Sequence, residues 1–327
     1  VKPGKGIYPF TLVGWYNKTG LIDTFEFRHL NESGEFLQQA QSIGDIHALA
    51  DNQITTGCLF DYEPLPGKNV FEGISGLALG GGSTFFGGYL PYLVLGNEKY
   101  QQRANYVIRF KNSKFDGQID AMLYDAELGG IIIGFNRWTP SITNKDGNSV
   151  VLTLIDVHTQ SPALLKQTGP SIQFKLSDKE ERIRKITRHG NLFYAIVNAY
   201  TGEYTTIVRF QVNDAKQIVL IDAKKFIFGN KAIITDLVSV SADQLALVGN
   251  ILNKDGAADD GFFILTDSKM ENCVTQNLPL PESADVELEI GLIDPKALYN
   301  LKIPNTEWIE EHTELGPGEP DIKAESL

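Results

Sequence analysis

One short pattern recurs along the chain and constrains its fold more than any other feature. An apolar run closes on glycine and is followed by aromatic or polar residues. It appears as Leu12-Val13-Gly14-Trp15, Thr55-Thr56-Gly57-Cys58, Phe85-Phe86-Gly87-Gly88, Ile132-Ile133-Gly134-Phe135 and Leu247-Val248-Gly249-Asn250. A further copy, Ala195-Ile196-Val197-Asn198, carries valine in the glycine slot. From Gly14 to Gly249 five intervals span 235 residues, a mean of 47. Self-similarity at a fixed period marks a chain built from stacked supersecondary units, and a period of roughly 40–50 residues suits a four-stranded one.

Two other elements accompany the glycine run. Ahead of five copies stands Ile-x-x-apolar: Ile46 to Leu49, Ile74 to Leu77, Ile119 to Met122, Ile183 to Ile186 and Ile234 to Leu237. Short apolar segments bounded by Gly, Asp and Asn suit a strand buried on both sides. Behind the glycine come Phe25 to Arg28, Val107 to Phe110, Val151 to Leu154, Ile207 to Phe210 and Phe263 to Thr266, where Arg or Thr alternates with apolar residues. That period of two marks a strand with one wetter face. Around Gly57 the best candidate for this third strand is Val70 to Gly73.

The pattern predicts an all-β chain folded as a six-bladed β-propeller, with Ile-x-x-apolar as the inner strand of each blade. Five or seven blades are the alternatives, and a flat array of β-sandwiches is the rival fold. The first copy has no inner strand ahead of it, whereas Val286 to Ile293 is a spare strand near the other end. Pairing that segment beside Pro9 to Tyr16 would join the C-terminal strand to the N-terminal one and leave no open sheet edge. Residues 1–302 then form a single propeller. Residues 303–327, rich in Pro, Gly and Glu, form an extended tail or a linker. Phe85-Phe86-Gly87-Gly88 resembles the kelch motif, in which paired glycines end the second strand of each blade. The resemblance covers that strand only, and the Tyr and Trp that kelch repeats carry downstream are not matched. It implies a propeller and no particular family within that superfamily.

The formal net charge of -12 and a pI near 4.9 oppose a phosphate-binding surface, so no nucleic-acid partner is expected. Arg182, Arg184, Lys185 and Arg188 form the densest basic stretch, interrupted by Ile183 and Ile186. It reads as the solvated face of a strand. No apolar run approaches the ~20 residues that cross a bilayer. The chain opens on Val1, as a processed product or a piece of a longer protein would. Sequons at Asn17 and Asn31 fall in turn-like sequence and lean towards an extracellular or cell-surface protein. Cys58 and Cys273 sit in separate repeats and are expected not to bridge one another.

Catalytic signatures are sparse. His29, His47, His158, His189 and His312 are scattered, without zinc-ligand spacing. There is no nucleophile elbow, and Gly80-Gly81-Gly82-Ser83-Thr84 lacks the Lys of a phosphate-binding loop. Asp45, Asp120 and Asp236 flank inner strands and could converge at the centre of a ring, the arrangement a glycan-acting hydrolase or lyase would use. The loops Asn144-Lys145-Asp146-Gly147 and Asn253-Lys254-Asp255-Gly256 read as turns. The second, with Asp259 and Asp260, also offers oxygen ligands in the manner of a partial calcium loop, the one cofactor in view. The feature that most suggests binding is aromatic: Trp15, Tyr16, Tyr62, Tyr89, Trp138 and Tyr200 follow the glycine position, where hairpins would emerge on one face. The expectation is a non-enzymatic binding or structural propeller module of a secreted or surface protein, one part of a larger assembly, recognising a carbohydrate or a protein through those aromatics. The alternative is the channel hydrolase.

Overall fold

The computed structural model describes residues 10–17, 23–30, 41–42, 53–61, 75–83, 90–97, 103–111, 116–138, 149–157, 165–229, 231–253, 258–271 and 274–293. Every regular element among them is a β-strand, and the strands make five antiparallel sheets. The first sheet joins β1 (Phe10–Asn17), β2 (Asp23–Leu30) and β3 (Gln41–Ser42). The second joins β4 (Gln53–Asp61), β5 (Ser75–Ser83), β6 (Leu90–Asn97) and β7 (Arg103–Phe110). In the third, β8 (Asp116–Asp125), β9 (Gly130–Trp138) and β10 (Ser149–Asp156) are followed by β11 (Lys166–Gln167) and β12 (Ser171–Phe174), which share β10 as neighbour. The fourth joins β13 (Glu181–His189), β14 (Leu192–Ala199), β15 (Thr205–Val212) and β16 (Ile218–Phe226). The fifth has β17 (Ala232–Ser241), β18 (Gln244–Leu252) and β19 (Ala258–Asp267).

The second to fifth sheets stack in chain order. β8 lies across β4, β5 and β6, β13 lies across β8, β9 and β10, and β17 lies across β13, β14 and β15. Because successive side chains of a strand point to opposite faces, the second strands of the third and fourth sheets each feed two cores. On β14, Phe193, Ala195 and Val197 pack towards the third sheet, while Tyr194 and Ile196 pack towards the fifth. On β9, Ile131, Ile133 and Phe135 join the core shared with the second sheet, and Ile132 joins the one shared with the fourth. Both faces being covered explains why these strands read as continuous apolar runs.

The Ile-x-x-apolar element has a clear physical cause. A β-bulge follows its isoleucine in β8, β13 and β17, at Ile119/Ala121, Ile183/Lys185 and Ile234/Asp236; β4 has the same bulge at Ile54/Thr56 without the pattern, and Ile46, Leu49 and Ile74 lie outside the described residues. The extra residue restores the inward direction, so that Ile119 and Met122, Ile183 and Ile186, and Ile234 and Leu237 are all buried together. A Cβ built on Gly80 would lie 2.5 Å from Ile119, and one on Gly134 would lie 2.4 Å from Ile183. Those two glycines are the sockets for the isoleucine of the next sheet.

Three expectations need correction. The six glycine copies do not mark six sheets among the described residues. Gly57 lies on β4, the first strand of the second sheet, and Gly87 lies outside the described residues in the segment joining β5 to β6 of that same sheet. Leu77 lies on β5 and not on an inner strand, and Val107 to Phe110 lies on β7, the fourth strand. The copies are also out of phase. Gly134 pairs with Ala121, just after the bulge, whereas Gly249 pairs with Ile234, just before it. One residue of offset turns a strand position to the other face, so Gly249 makes room for Ile233 and Phe262 within its own sheet. Val151 to Leu154, Ile207 to Phe210 and Phe263 to Thr266 stand as expected on the third strands β10, β15 and β19, Phe25 to Arg28 lies on β2, and Val70 to Gly73 lies outside the described residues.

The third correction concerns the C-terminal segment. After β19 the chain travels backwards along the stack and adds one strand to each sheet it passes. β20 (Thr275–Leu278) pairs with β16, β21 (Ser283–Val286) with β12, and β22 (Leu288–Leu292) with β7. The expected partner of Val286 to Ile293 was β1. Instead Leu288 sits opposite Phe110 and Ile290 opposite Ile108, and both pack on the core between the second and third sheets. An apolar match to a buried strand outweighs closure at an edge.

Candidate functional site

The bulge residues Thr55, Asp120, Arg184 and Thr235 occupy one equivalent position along the inner strands. What surrounds them is chiefly a set of clamps between sheets. A bulge takes a residue's N–H and C=O out of the ladder, and side chains of the preceding sheet meet such groups at Ile119, Ile183 and Ile234. Thr55 donates its hydroxyl to the Ile119 carbonyl. Asn136 accepts from the Ile183 N–H at 3.0 Å. Asn198 donates to the Ile234 carbonyl at 3.0 Å, and Thr205 accepts from the Ile234 N–H at 3.0 Å while donating to Asn198 at 2.6 Å. Asn136 and Asn198 are nearly fully buried, where an unmet backbone group would be costly.

Asp120 belongs to this clamp. One carboxylate oxygen accepts from Gln118 at 2.8 Å and the other from the Asn136 amide. Burial pushes its carboxyl above the usual aspartate range, against the opposing pull of Asn136, Arg184 and Arg182. Asp236 sits 3.3 Å from the Lys185 ammonium and accepts from the Leu237 N–H at 2.8 Å. Asp45 lies outside the described residues. Hydrolysis of a glycan needs one carboxyl aimed at the leaving oxygen and a second at water or the sugar ring. Asp120 is instead held by its own sheet, on the Asn136 that clamps Ile183, and Asp236 pairs with Lys185 of the preceding sheet.

Two more contacts reinforce the joints. Arg188 of β13 donates to Asp125 of β8 at 2.7 Å and also pairs with Glu127. The basic stretch is therefore not wholly a solvated face, since Asp125 is buried. His189 lies between the Ser239 hydroxyl, 2.7 Å away, and the Ala242 carbonyl, 2.8 Å away, which gives it a structural place.

The aromatic positions are dispersed. Trp15 and Tyr16 lie on β1 opposite Phe25 and Thr24, and Trp138 ends β9 opposite Asp116. Tyr62 and Tyr89 lie outside the described residues. Tyr200 is on the turn between β14 and β15, with 63% of its surface exposed. The Arg182 guanidinium sits 4.9 Å from its ring centre, Arg182 is held by Glu180 at 3.0 Å, and the Tyr200 N–H donates to the Glu180 carbonyl at 2.9 Å. An exposed ring fixed from behind by a guanidinium presents one open face. Arg182 is the member the sequence reading passed over, because only the pairing of Arg182 with Asn198 brings it to this turn.

Of the calcium candidates, Asn253 is half-buried just after β18, Asp255 lies outside the described residues, and Asp259 and Asp260 lie on β19, Asp260 exposed. No group of three or more His, Cys, Asp or Glu side chains among the described residues could hold a metal ion. Cys58 is half-buried on β4 against the core between the second and third sheets, and Cys273 lies outside the described residues. No helix among the described residues is long and apolar enough to cross a membrane. An open cleft of about 530 Å³ lies at the outer edge of the third sheet, between Lys175, Asp178 and Glu282. No protein-family model and no curated protein matches the chain.

Proposed function

We propose that the chain is a non-enzymatic binding module of propeller type, in which the sheets act as blades and the hairpins between second and third strands carry the ligand surface. Five blades fit the five described sheets better than six. The observation that carries the binding reading is the Tyr200–Arg182–Glu180 cluster. Tyr200 is exposed on a short turn of a sheet with two covered faces, so its side chain contributes little to the core and is available to stack on a flat partner. A sugar ring, or an aromatic or Arg side chain of a protein, matches that shape. The acidic net charge and the sequons accord with a secreted or surface setting and a carbohydrate or protein partner. The commitment of Asp120 and Asp236 to joints between sheets weighs against the channel hydrolase.

Tyr200→Ala tests this reading on an array of immobilised glycans and peptides. The wild-type chain is expected to retain a subset of them, with the variant weakened by about 2 kcal/mol, some thirty-fold, towards that subset. Its melting temperature should stay within roughly 2 °C of wild type, because an exposed turn residue contributes little to the core. A variant that melts as wild type does and binds the same probes equally well would remove Tyr200 from any ligand surface.

A further inference from the structure

The forward face of the fifth sheet repeats a joint that the second, third and fourth sheets use, and nothing among the described residues covers it. Ile196 and Ile207, paired across β14 and β15, are fully buried beneath the fifth sheet. In the register set by the bulges, Val248 and Phe263 are their counterparts, paired across β18 and β19, and they are 42% and 70% exposed. Val238 and Leu265 flank them on the same face at 50% and 55% exposed. The clamp residue recurs as well. Asn136, Asn198 and Asn250 each pair with the residue just before a bulged isoleucine, Gln118, Arg182 and Ile233. The first two are buried against the next sheet, and Asn250 is only half-buried. A soluble protein rarely leaves so contiguous an apolar face open unless something docks there.

We infer that this face is a docking surface for the first sheet, β1 to β3, of the same chain, which closes the stack into a ring by packing face to face. The argument is continuity: four consecutive sheets are joined through one kind of interface, and the fifth offers the same apolar face and the same Asn to a sheet that must follow it. The first sheet is the one that lacks extensive packing with any other described element. It is tethered to the second sheet, and a ring of five places it between the second sheet and the fifth. A tethered sheet competes at an effective concentration in the millimolar range, which favours it over a second copy of the chain. The closure involves no pairing between C-terminal and N-terminal strands, and it rests on the stacking of the sheets and not on the ligand reading.

Two measurements on the full chain test it. In hydroxyl-radical footprinting of the unaltered protein, Phe263 should be labelled about ten-fold less than Tyr200, the exposed aromatic that serves as reference. In hydrogen exchange, Phe263→Ser/Leu265→Ser should speed exchange of the β1 and β2 amides by at least about ten-fold while β13 to β16 stay protected. Light scattering should give a monomer throughout. Labelling of Phe263 as strong as that of Tyr200 in a monomeric wild type would overturn the inference. So would a wild-type dimer that the double substitution splits, which would assign the face to a second copy. Neither measurement involves a ligand, so failure here leaves the Tyr200 reading untouched.

Discussion

Replacing Asn136 by leucine is expected to lower the unfolding free energy by about 3 kcal/mol, although leucine fills nearly the same space. Two losses add. The Asn136 amide donates to the Asp120 carboxylate, and a hydrogen bond to a charged group contributes about 1.5–3 kcal/mol. The Ile183 N–H, which now donates to Asn136 at 3.0 Å, would be left in the core without an acceptor, at a cost of about 1–3 kcal/mol. Asn198→Leu should behave in the same way, because Asn198 holds the Ile234 carbonyl and orients the Thr205 hydroxyl that accepts from the Ile234 N–H. Urea unfolding followed by circular dichroism gives the comparison directly. Changes below about 0.5 kcal/mol in both variants, the size of an ordinary surface substitution, would show that the clamps are ornamental.

The second large effect concerns the socket beneath the bulged isoleucine. Ile183→Ala should destabilise by about 2–5 kcal/mol, through lost burial and the cavity left beside Gly134. Gly134→Ala alone should cost about 1–3 kcal/mol, since its Cβ would meet Ile183 at 2.4 Å and Ile186 at 3.0 Å in a packed core. Together the two should not add. With the isoleucine trimmed, the new methyl group occupies the vacated space, and glycine in a strand is intrinsically unfavourable. Gly134→Ala is therefore expected to change sign, from destabilising in the wild type to neutral or stabilising in the Ile183→Ala background. Additive losses in the double-mutant cycle would mean that the two residues do not touch.

These joints show what was legible beforehand. The Ile-x-x-apolar element was readable because a bulge imposes a three-residue spacing that a plain strand lacks, and Ile119, Ile183 and Ile234 all lie where that spacing puts them. The glycine count misled because glycine serves different ends: Gly80 and Gly134 receive a neighbour's isoleucine, whereas Gly249 relieves crowding within its own sheet. The recurrence of Asn at positions 136, 198 and 250 is the truer mark of the second strand, and it was present in the sequence. Less could be read from the C-terminal segment. β20 and β21 are short and mostly exposed, and they attach chiefly through backbone hydrogen bonds that any residue can make, so no side-chain pattern announces their partners. Of the candidate site, Tyr200 was visible as a residue type after a strand end. Its support by Arg182 depends on pairing between β13 and β14 and has no local signal.

The central claim is that the chain stacks sheets in order and then returns along their outer edges, and the pairing of β22 with β7 tests it most directly. Arg109 and Glu289 are exposed Cα partners across that pair. Partners in an antiparallel ladder stand about 4.5–5.5 Å apart, within the reach of a disulfide. In a Cys58→Ser/Cys273→Ser background, Arg109→Cys/Glu289→Cys should oxidise almost completely under mild conditions and run as a cross-linked monomer on a non-reducing gel. The companion protein Thr11→Cys/Glu289→Cys, with its first cysteine on β1, would cross-link if the C-terminal segment instead paired beside β1, and it should stay reduced. Cross-linking of Glu289→Cys to Thr11→Cys but not to Arg109→Cys would contradict the returning strand and the order of the sheets built on it.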